Sequence, residues 1–238
     1  MSTIIFGRNA VRATLEEDRV QTLFAATRFQ NDEFVTLARK HNVSVKFVSD
    51  DELTRMARVP SHQGFVAICD DYGTVSLGAL IESAKKKQYP LLAMLDGIED
   101  PHNLGAILRS ADAFGVDGLI IKNHDEVPLN GTVAKVSTGA INYVKVAVVA
   151  NLSQALEVLK DNSYWIVASD GSGTTDYDKV DYKSPICLVI GSEGSGIQPL
   201  VLKHSDFIVK IPMFGHVNSL NASVAASVLF AQVIQNRK

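Results

Sequence analysis

The sequence predicts an α/β protein in two parts. A small mixed αβ unit occupies residues 1–72, a linker and first helix follow over 73–89, and a doubly wound parallel-sheet domain fills 90–238. Three observations predict this. From Leu91 onward, near-continuous apolar runs stand between stretches of helical spacing, the signature of strands covered on both faces. Before residue 70, short helical patterns alternate with half-buried strand patterns. Between them, residues 71–90 turn polar, contain Gly73 and Pro90, and carry Lys85-Lys86-Lys87 after a short helix, so the boundary falls near Asp70–Gly73.

In the first part, Gly7–Glu17 sets Ala10, Val11, Thr14 and Leu15 at helical spacing. Leu23–Ala26 reads as a strand, and Asp32–His41 as a helix with Phe34, Leu37 and Ala38 on one face. Val43–Val48 alternates as a half-buried strand. Asp51–Arg58 is a short helix capped by Ser49 or Asp50, and Gly64–Cys69 is a strand. The second part predicts strands at Leu91–Leu95, Gly118–Ile121, Val144–Val149, Trp165–Ala168, Ile186–Ile190 and Phe207–Ile211. Its helices fall at about Leu104–Phe114, Gly131–Ile141, Ser153–Lys160 and Ser219–Gln235.

Composition excludes some classes of function and leaves others open. The 238 residues are 46% hydrophobic and 21% charged, an ordinary globular balance. No apolar run is long enough to span a bilayer, and Met1–Phe6 lacks the basic start of a signal peptide, so a cytoplasmic protein is expected. Cys69 and Cys187 have no metal-ligand spacing; both are expected to be reduced and buried, and no metal is expected. The net charge is −3, with nine basic and nine acidic residues balancing over residues 1–70. Composition alone does not point to RNA.

Three loops, each just past a predicted strand, carry the chemistry. The first runs from Asp96 to Arg109. On spacing, Asn103 reads as a helix N-cap, and Arg109 lies on a helix expected to pack on the sheet. An arginine there needs a carboxylate or an anionic ligand, and both readings stand. The second, Ile190-Gly191-Ser192-Glu193-Gly194-Ser195-Gly196, is glycine-rich but neither a GxGxxG nor a P-loop. The third runs from Ile211 to Ser223, with Asn218 or Ser219 as the expected cap of a long small-residue helix.

In this order and spacing the loops resemble the three motifs of the SpoU (TrmH) family of RNA 2′-O-ribose methyltransferases, in the SPOUT superfamily. The motif residues are Asn103-x-Gly105-x-x-x-Arg109, Ile190-Gly191-Ser192-Glu193-Gly194-x-Gly196, and Ile211-Pro212-Met213 with Ser219-Leu220-Asn221-x-Ser223-Val224-Ala225. Lys135-Val136-Ser137-Thr138-Gly139-Ala140 resembles the family's intervening helix. Phe6–Val11 and His62–Ala67 resemble the ends of the family's small L30e-like RNA-binding domain.

The resemblance implies a SPOUT domain with a C-terminal deep trefoil knot, and a homodimer. It implies S-adenosylmethionine as co-substrate, its adenine held by backbone groups of Gly191, Ile211 and Leu220, with Gly171, Ile190 and Ser219 in the same pocket. It implies catalytic roles for Arg109, Asn103, Glu193, Ser219 and Asn221. The branch it resembles methylates a guanosine ribose in large-subunit (23S) ribosomal RNA. A tRNA methyltransferase of the same family and a non-catalytic RNA-binding assembly factor are the alternatives. A nucleotide-dependent oxidoreductase is disfavoured by the missing GxGxxG. RNA affinity is expected from Arg8, Arg12, Arg28, Arg39, Lys40 and Arg58.

Overall fold

A computed structural model describes Ser2–Lys238. The chain divides into two compact units. The first holds residues 2–73 together with Leu129–Tyr143, and the second holds Thr74–Pro128 and Val144–Lys238.

The first unit is β1 (Ser2–Phe6), α1 (Arg8–Glu16), β2 (Val20–Ala26), α2 (Glu33–Lys40), β3 (Ser44–Val48), α3 (Asp50–Ala57) and β4 (Phe65–Asp70). The strands pair in the order β1-β4-β2-β3. β4 runs antiparallel to both neighbours, while β2 and β3 are parallel. Side-chain caps start two helices: Asp32 accepts from Phe34 N at 2.9 Å, and Ser49 accepts from Glu52 N at 3.2 Å. α3 presses Leu53 and Ala57 onto Phe6, Ala26 and Val66. β1 has no counterpart among the sequence-predicted strands.

The second unit begins with α4 (Leu77–Ala84), β5 (Leu91–Asp96), α5 (Pro101–Ala113) and β6 (Gly118–Lys122). The chain then visits the first unit through α6 (Gly131–Val136). It returns as β7 (Val146–Val149), α7 (Leu152–Asp161), β8 (Trp165–Ser169), β9 (Thr175–Asp176), β10 (Ile186–Gly191), α8 (Pro199–Lys203), β11 (Phe207–Lys210) and α9 (Ala222–Asn236). The sheet order is β7-β6-β5-β10-β8-β11-β9, with every pairing parallel. β10 is thus central, flanked by the earlier strands β5 and β8, and its first five residues are buried. One face carries α4 and α7, which bury Leu80, Leu156 and Leu159 against Leu92, Ile120 and Val189. Among the described residues no helix is long and apolar enough to cross a membrane.

The segment Leu129–Tyr143 lies inside the stretch the sequence assigns to the second domain, yet it packs in the first unit. Polar anchors explain it. Lys135 Nζ donates to Ser61 O at 2.7 Å, Arg19 Nη1 to Asn142 Oδ1 at 3.0 Å, and Asn142 Nδ2 to Thr14 Oγ1 at 3.3 Å. The single helix expected over Gly131–Ile141 is also broken: Thr138 (φ 52°) and Gly139 (φ 96°) take left-handed geometry, ending α6 and leaving one 3₁₀ turn at Ala140–Asn142. Both cysteines are free and buried, and burial pushes the Cys69 thiol up to about 11.

Candidate active site

The carboxyl ends of β5, β10, β8 and β11 converge at the middle of the second sheet, where ligands bind in open α/β folds. Gly191 closes β10 in register with Asp96 at the end of β5. The next residues fold back: Ser192 N donates to Asp96 O at 3.0 Å, and Ser192 and Gly196 exchange backbone hydrogen bonds at 3.1 and 3.2 Å. Two glycines are required here. A Cβ on Gly191 would lie 2.3 Å from the carbonyl carbon of Gly196, and Gly196 itself has φ 67°.

The three motif loops meet through side chains. Asn103 Nδ2 donates to Glu193 Oε1 at 2.9 Å. Asn221 Nδ2 donates to Asn103 Oδ1 at 2.9 Å and also to Glu193 Oε1. Two amides and one carboxylate, separated by up to 118 positions in sequence, therefore form one cluster.

Helix starts explain how these residues come free, and they correct the sequence-based caps. α5 begins two residues earlier than Asn103: Asp100 caps it, accepting from His102 N at 2.8 Å, with Pro101 in the first turn. Asn103 is thus inside the helix and turns its amide to Glu193. α9 begins after Asn221, not at Asn218 or Ser219. Asn221 Oδ1 caps it by accepting from Ser223 N at 3.0 Å and Val224 N at 3.3 Å, while its Nδ2 serves the cluster. Ser219 lies in the exposed loop before the helix.

Two cavities flank the turn 192–195. The first, of about 420 Å³, is lined by Gly171 past β8, Ile190 and Gly191 at the end of β10, and Ile211, Met213, Ser219 and Leu220 of the third loop. All six residues expected to hold the co-substrate line it. Its size suits a small molecule. Its loop also offers unused polar groups: from Ile211 to Leu220 no backbone amide or carbonyl has a backbone partner among the described residues. The second, of about 520 Å³, is lined by Asp96, Glu99, Asn103, Lys122, Asp125, Glu193 and neighbours.

Of the two partners the sequence allowed for Arg109, no carboxylate is present: its side chain is exposed on α5 and among the described residues makes neither an ion pair nor a hydrogen bond. It lines neither cavity. Beside α5, α9 packs closely, with the Ser110 and Ser227 hydroxyls 2.7 Å apart.

Sequence reasoning missed the buried charges beneath the second cavity. Asp96 is 2% exposed; its Oδ2 accepts from Gln198 N at 2.8 Å, and its Oδ1 lies 3.6 Å from Lys122 Nζ. Glu126 accepts from Gly97 N at 3.1 Å and Lys122 N at 2.8 Å. Burial pushes its carboxyl up to about 8, although both amides and the Lys122 charge pull the other way. The only signal was Asp96 and Lys122 ending two apolar runs, where a charge facing the core needs a partner.

Comparison with known proteins gives two family matches. Residues 90–231 match the SpoU rRNA Methylase family, and residues 4–75 match the family described as RNA 2′-O ribose methyltransferase substrate binding. A Staphylococcus saprophyticus protein named as a TrmH family tRNA/rRNA methyltransferase is 41% identical over 98% of this chain and 96% of its own. The SpoU methyltransferase AviRb from Streptomyces viridochromogenes, solved with AdoMet, has the same fold: TM-score 0.84 at 23% identity, over 99% of this chain and 90% of that one. The A. aeolicus TrmH/SpoU tRNA modifying enzyme aligns at 31% identity and TM-score 0.59 over 68% of this chain and 82% of its own.

Proposed function

This chain belongs to the SpoU family of RNA methyltransferases, and from that premise we propose that it methylates the ribose 2′-hydroxyl of a guanosine in large-subunit ribosomal RNA. It is an S-adenosylmethionine-dependent RNA 2′-O-methyltransferase. The observation that carries the site assignment is the Asn103–Glu193–Asn221 cluster, which joins all three motif loops beside a cavity of co-substrate size.

In this reading, backbone groups of Gly191, Ile211 and Leu220 hold the adenine, while Gly171, Ile190 and Ser219 complete the wall of the first cavity. S-adenosylmethionine supplies a methyl group on a sulfonium, so the reaction depends on alignment more than on strong acid or base. Glu193 accepts from both asparagines and fixes the turn that separates the cavities. Asn103 and Asn221 orient that carboxylate and the ribose. Arg109 stays protonated, so it acts by holding the phosphate-linked ribose and stabilising charge, not as a literal base. Its exposure and lack of side-chain partners among the described residues support a homodimer in which Arg109 of one copy completes the site of the other.

The central position of β10 between β5 and β8 supports a deep trefoil knot in the C-terminal segment. The first unit presents substrate RNA, and the cytoplasm is the compartment where such RNA is found. A tRNA substrate is the second reading, favoured by the tRNA/rRNA name of the 41% identical relative.

The test is methyl transfer from tritiated S-adenosylmethionine to ribosomal RNA from cells lacking the gene, mapped to position, with Arg109→Ala in parallel. Label on one guanosine ribose of the large-subunit RNA, lost in the variant, is the expected result. Label on tRNA alone moves the substrate and keeps the chemistry. Cofactor binding without label on any RNA favours the assembly-factor alternative.

A further inference from the structure

The second cavity shares the turn Ser192–Ser195 with the co-substrate cavity, but its chemistry is different. Carboxylates dominate its wall, so a phosphate would be repelled there, and a neutral group rich in N–H donors would be favoured. Most of those carboxylates are engaged. Asp96 holds Gln198 N, Asp100 caps α5, and Glu193 takes both asparagine amides. Asp125 lies 3.8 Å from the His124 ring. Glu99 is exposed to the cavity and has no hydrogen bond or ion pair among the described residues.

A second observation points to a ligand independently. Lys122 is 8% exposed, lines the cavity, and its ammonium makes no hydrogen bond among the described residues; Asp96 Oδ1 at 3.6 Å is an ion-pair neighbour only. With Asp96 at ion-pair distance and no hydrogen bond made among the described residues, the Lys122 N–H donors remain available to an acceptor in the cavity. Glu126 fixes this floor by accepting the backbone N–H groups of Gly97 and Lys122.

One donor group and one free acceptor group lining a cavity next to the methyl-transfer site define a complementary ligand edge. Guanine presents it: O6 accepts, and N1–H and N2–H donate side by side. Adenine, cytosine and uracil each offer fewer adjacent donors on that edge. We propose that the second cavity is the subsite for the target base, with Lys122 donating to guanine O6 and Glu99 accepting from N1–H and N2–H. This deepens the guanosine reading above and rests on it.

The test titrates the full-length protein, loaded with S-adenosylmethionine, with free guanosine, inosine and adenosine by NMR. Inosine differs from guanosine only by the missing 2-amino group. Guanosine is expected to bind roughly tenfold tighter than inosine, the effect of one charge-assisted hydrogen bond, with adenosine weakest. Glu99→Gln, an exposed substitution that leaves the fold intact, should bring guanosine to the inosine level with S-adenosylmethionine affinity unchanged. Lys122→Met should weaken guanosine and inosine together, and its melting curve reports any loss of fold. Equal binding of the three nucleosides, no guanosine binding by the native protein, or an unchanged preference in Glu99→Gln overturns the subsite. Label mapped to a pyrimidine or adenosine ribose also overturns it and leaves the methyltransferase standing. Failure to label ribosomal RNA counts against the substrate reading, while the nucleoside titration still decides the subsite.

Discussion

The two units use arginine in opposite ways. In the first, Arg8 makes a bidentate pair with Asp32 at 3.0 and 3.1 Å and lies over the Phe34 and Phe65 rings, 4.4 and 5.0 Å from their centroids. Arg12 pairs with Glu33 at 2.5 Å, and Arg28 pairs with Asp50. In the second, Arg109 stands exposed on α5 and unpaired among the described residues. A paired arginine has already used its fork on a carboxylate and contributes to folding. An unpaired one on a rigid helix retains its donors for a ligand. Arg8, Arg12 and Arg28 were expected to bind RNA, and their partners argue instead for a structural role.

The largest expected effect tests the ligand-facing side of that contrast. Arg109→Ala should lower kcat by about 10²–10³, the usual cost of losing one preorganised charge-stabilising donor. Its melting temperature should stay near that of the native protein, because exposed substitutions without partners fall within about 0.5 kcal/mol. A variant that melts early would place Arg109 among the structural arginines. Next in size is Arg8→Ala, expected to destabilise the first unit by about 1–2 kcal/mol through the lost charged hydrogen bonds and ring contacts. Chemical denaturation measures this, and the variant's methyl-transfer rate below the transition should remain close to native. A large kcat loss with unchanged stability would reverse the assignment.

Carboxylates show the same division. Partial burial would raise Asp32, but the Arg8 pair and the Phe34 N–H outweigh it and hold the carboxyl below its ordinary value. The stability this contributes is present above the unfolded value and is lost as pH falls through the folded one. Glu126 runs the other way, with its folded carboxyl near 8 against an ordinary 4.5. Below 4.5 it is protonated in both states. Between 4.5 and 8 the unfolded chain releases a proton that the folded chain keeps, so stability falls as pH rises, and it levels off above 8. Melting curves across this range should show Glu126→Gln removing the neutral-range slope and Asp32→Asn removing only an acid-range one.

Much of the frame was legible because it rests on local chemistry. The buried apolar runs of β5, β6, β8 and β10, and the cap Ser49, need only short windows of sequence. The position of β10 between β5 and β8 was not legible, since strand order depends on contacts far apart in the chain. Asn103 and Asn221 illustrate the limit at the site. Both are good capping residues, and nothing in the sequence shows that Asp100 takes one cap while Asn221 serves a cap and the Glu193 cluster at once. The pairing state of each arginine was hidden for the same reason: a carboxylate 20 or more residues away decides it.

The smallest effect separates paired from unpaired cations within the first unit itself. Arg39, Lys40 and Arg58 are exposed there without side-chain partners among the described residues, unlike Arg8, Arg12 and Arg28. Arg39 and Lys40 end α2, where a cation also favours the helix terminus by a few tenths of a kcal/mol, so stability alone does not diagnose their role. Salt dependence does. Each phosphate contact adds about 0.7–0.9 to the slope of log affinity against log salt. Arg39→Gln with Lys40→Gln should therefore lower the slope for RNA binding by about 1–2, whereas Arg28→Gln should leave it unchanged because Asp50 already neutralises that charge. Equal slopes for both variants would mean that RNA competes successfully for paired arginines, and pairing would then no longer distinguish structural from RNA-facing charge in this unit.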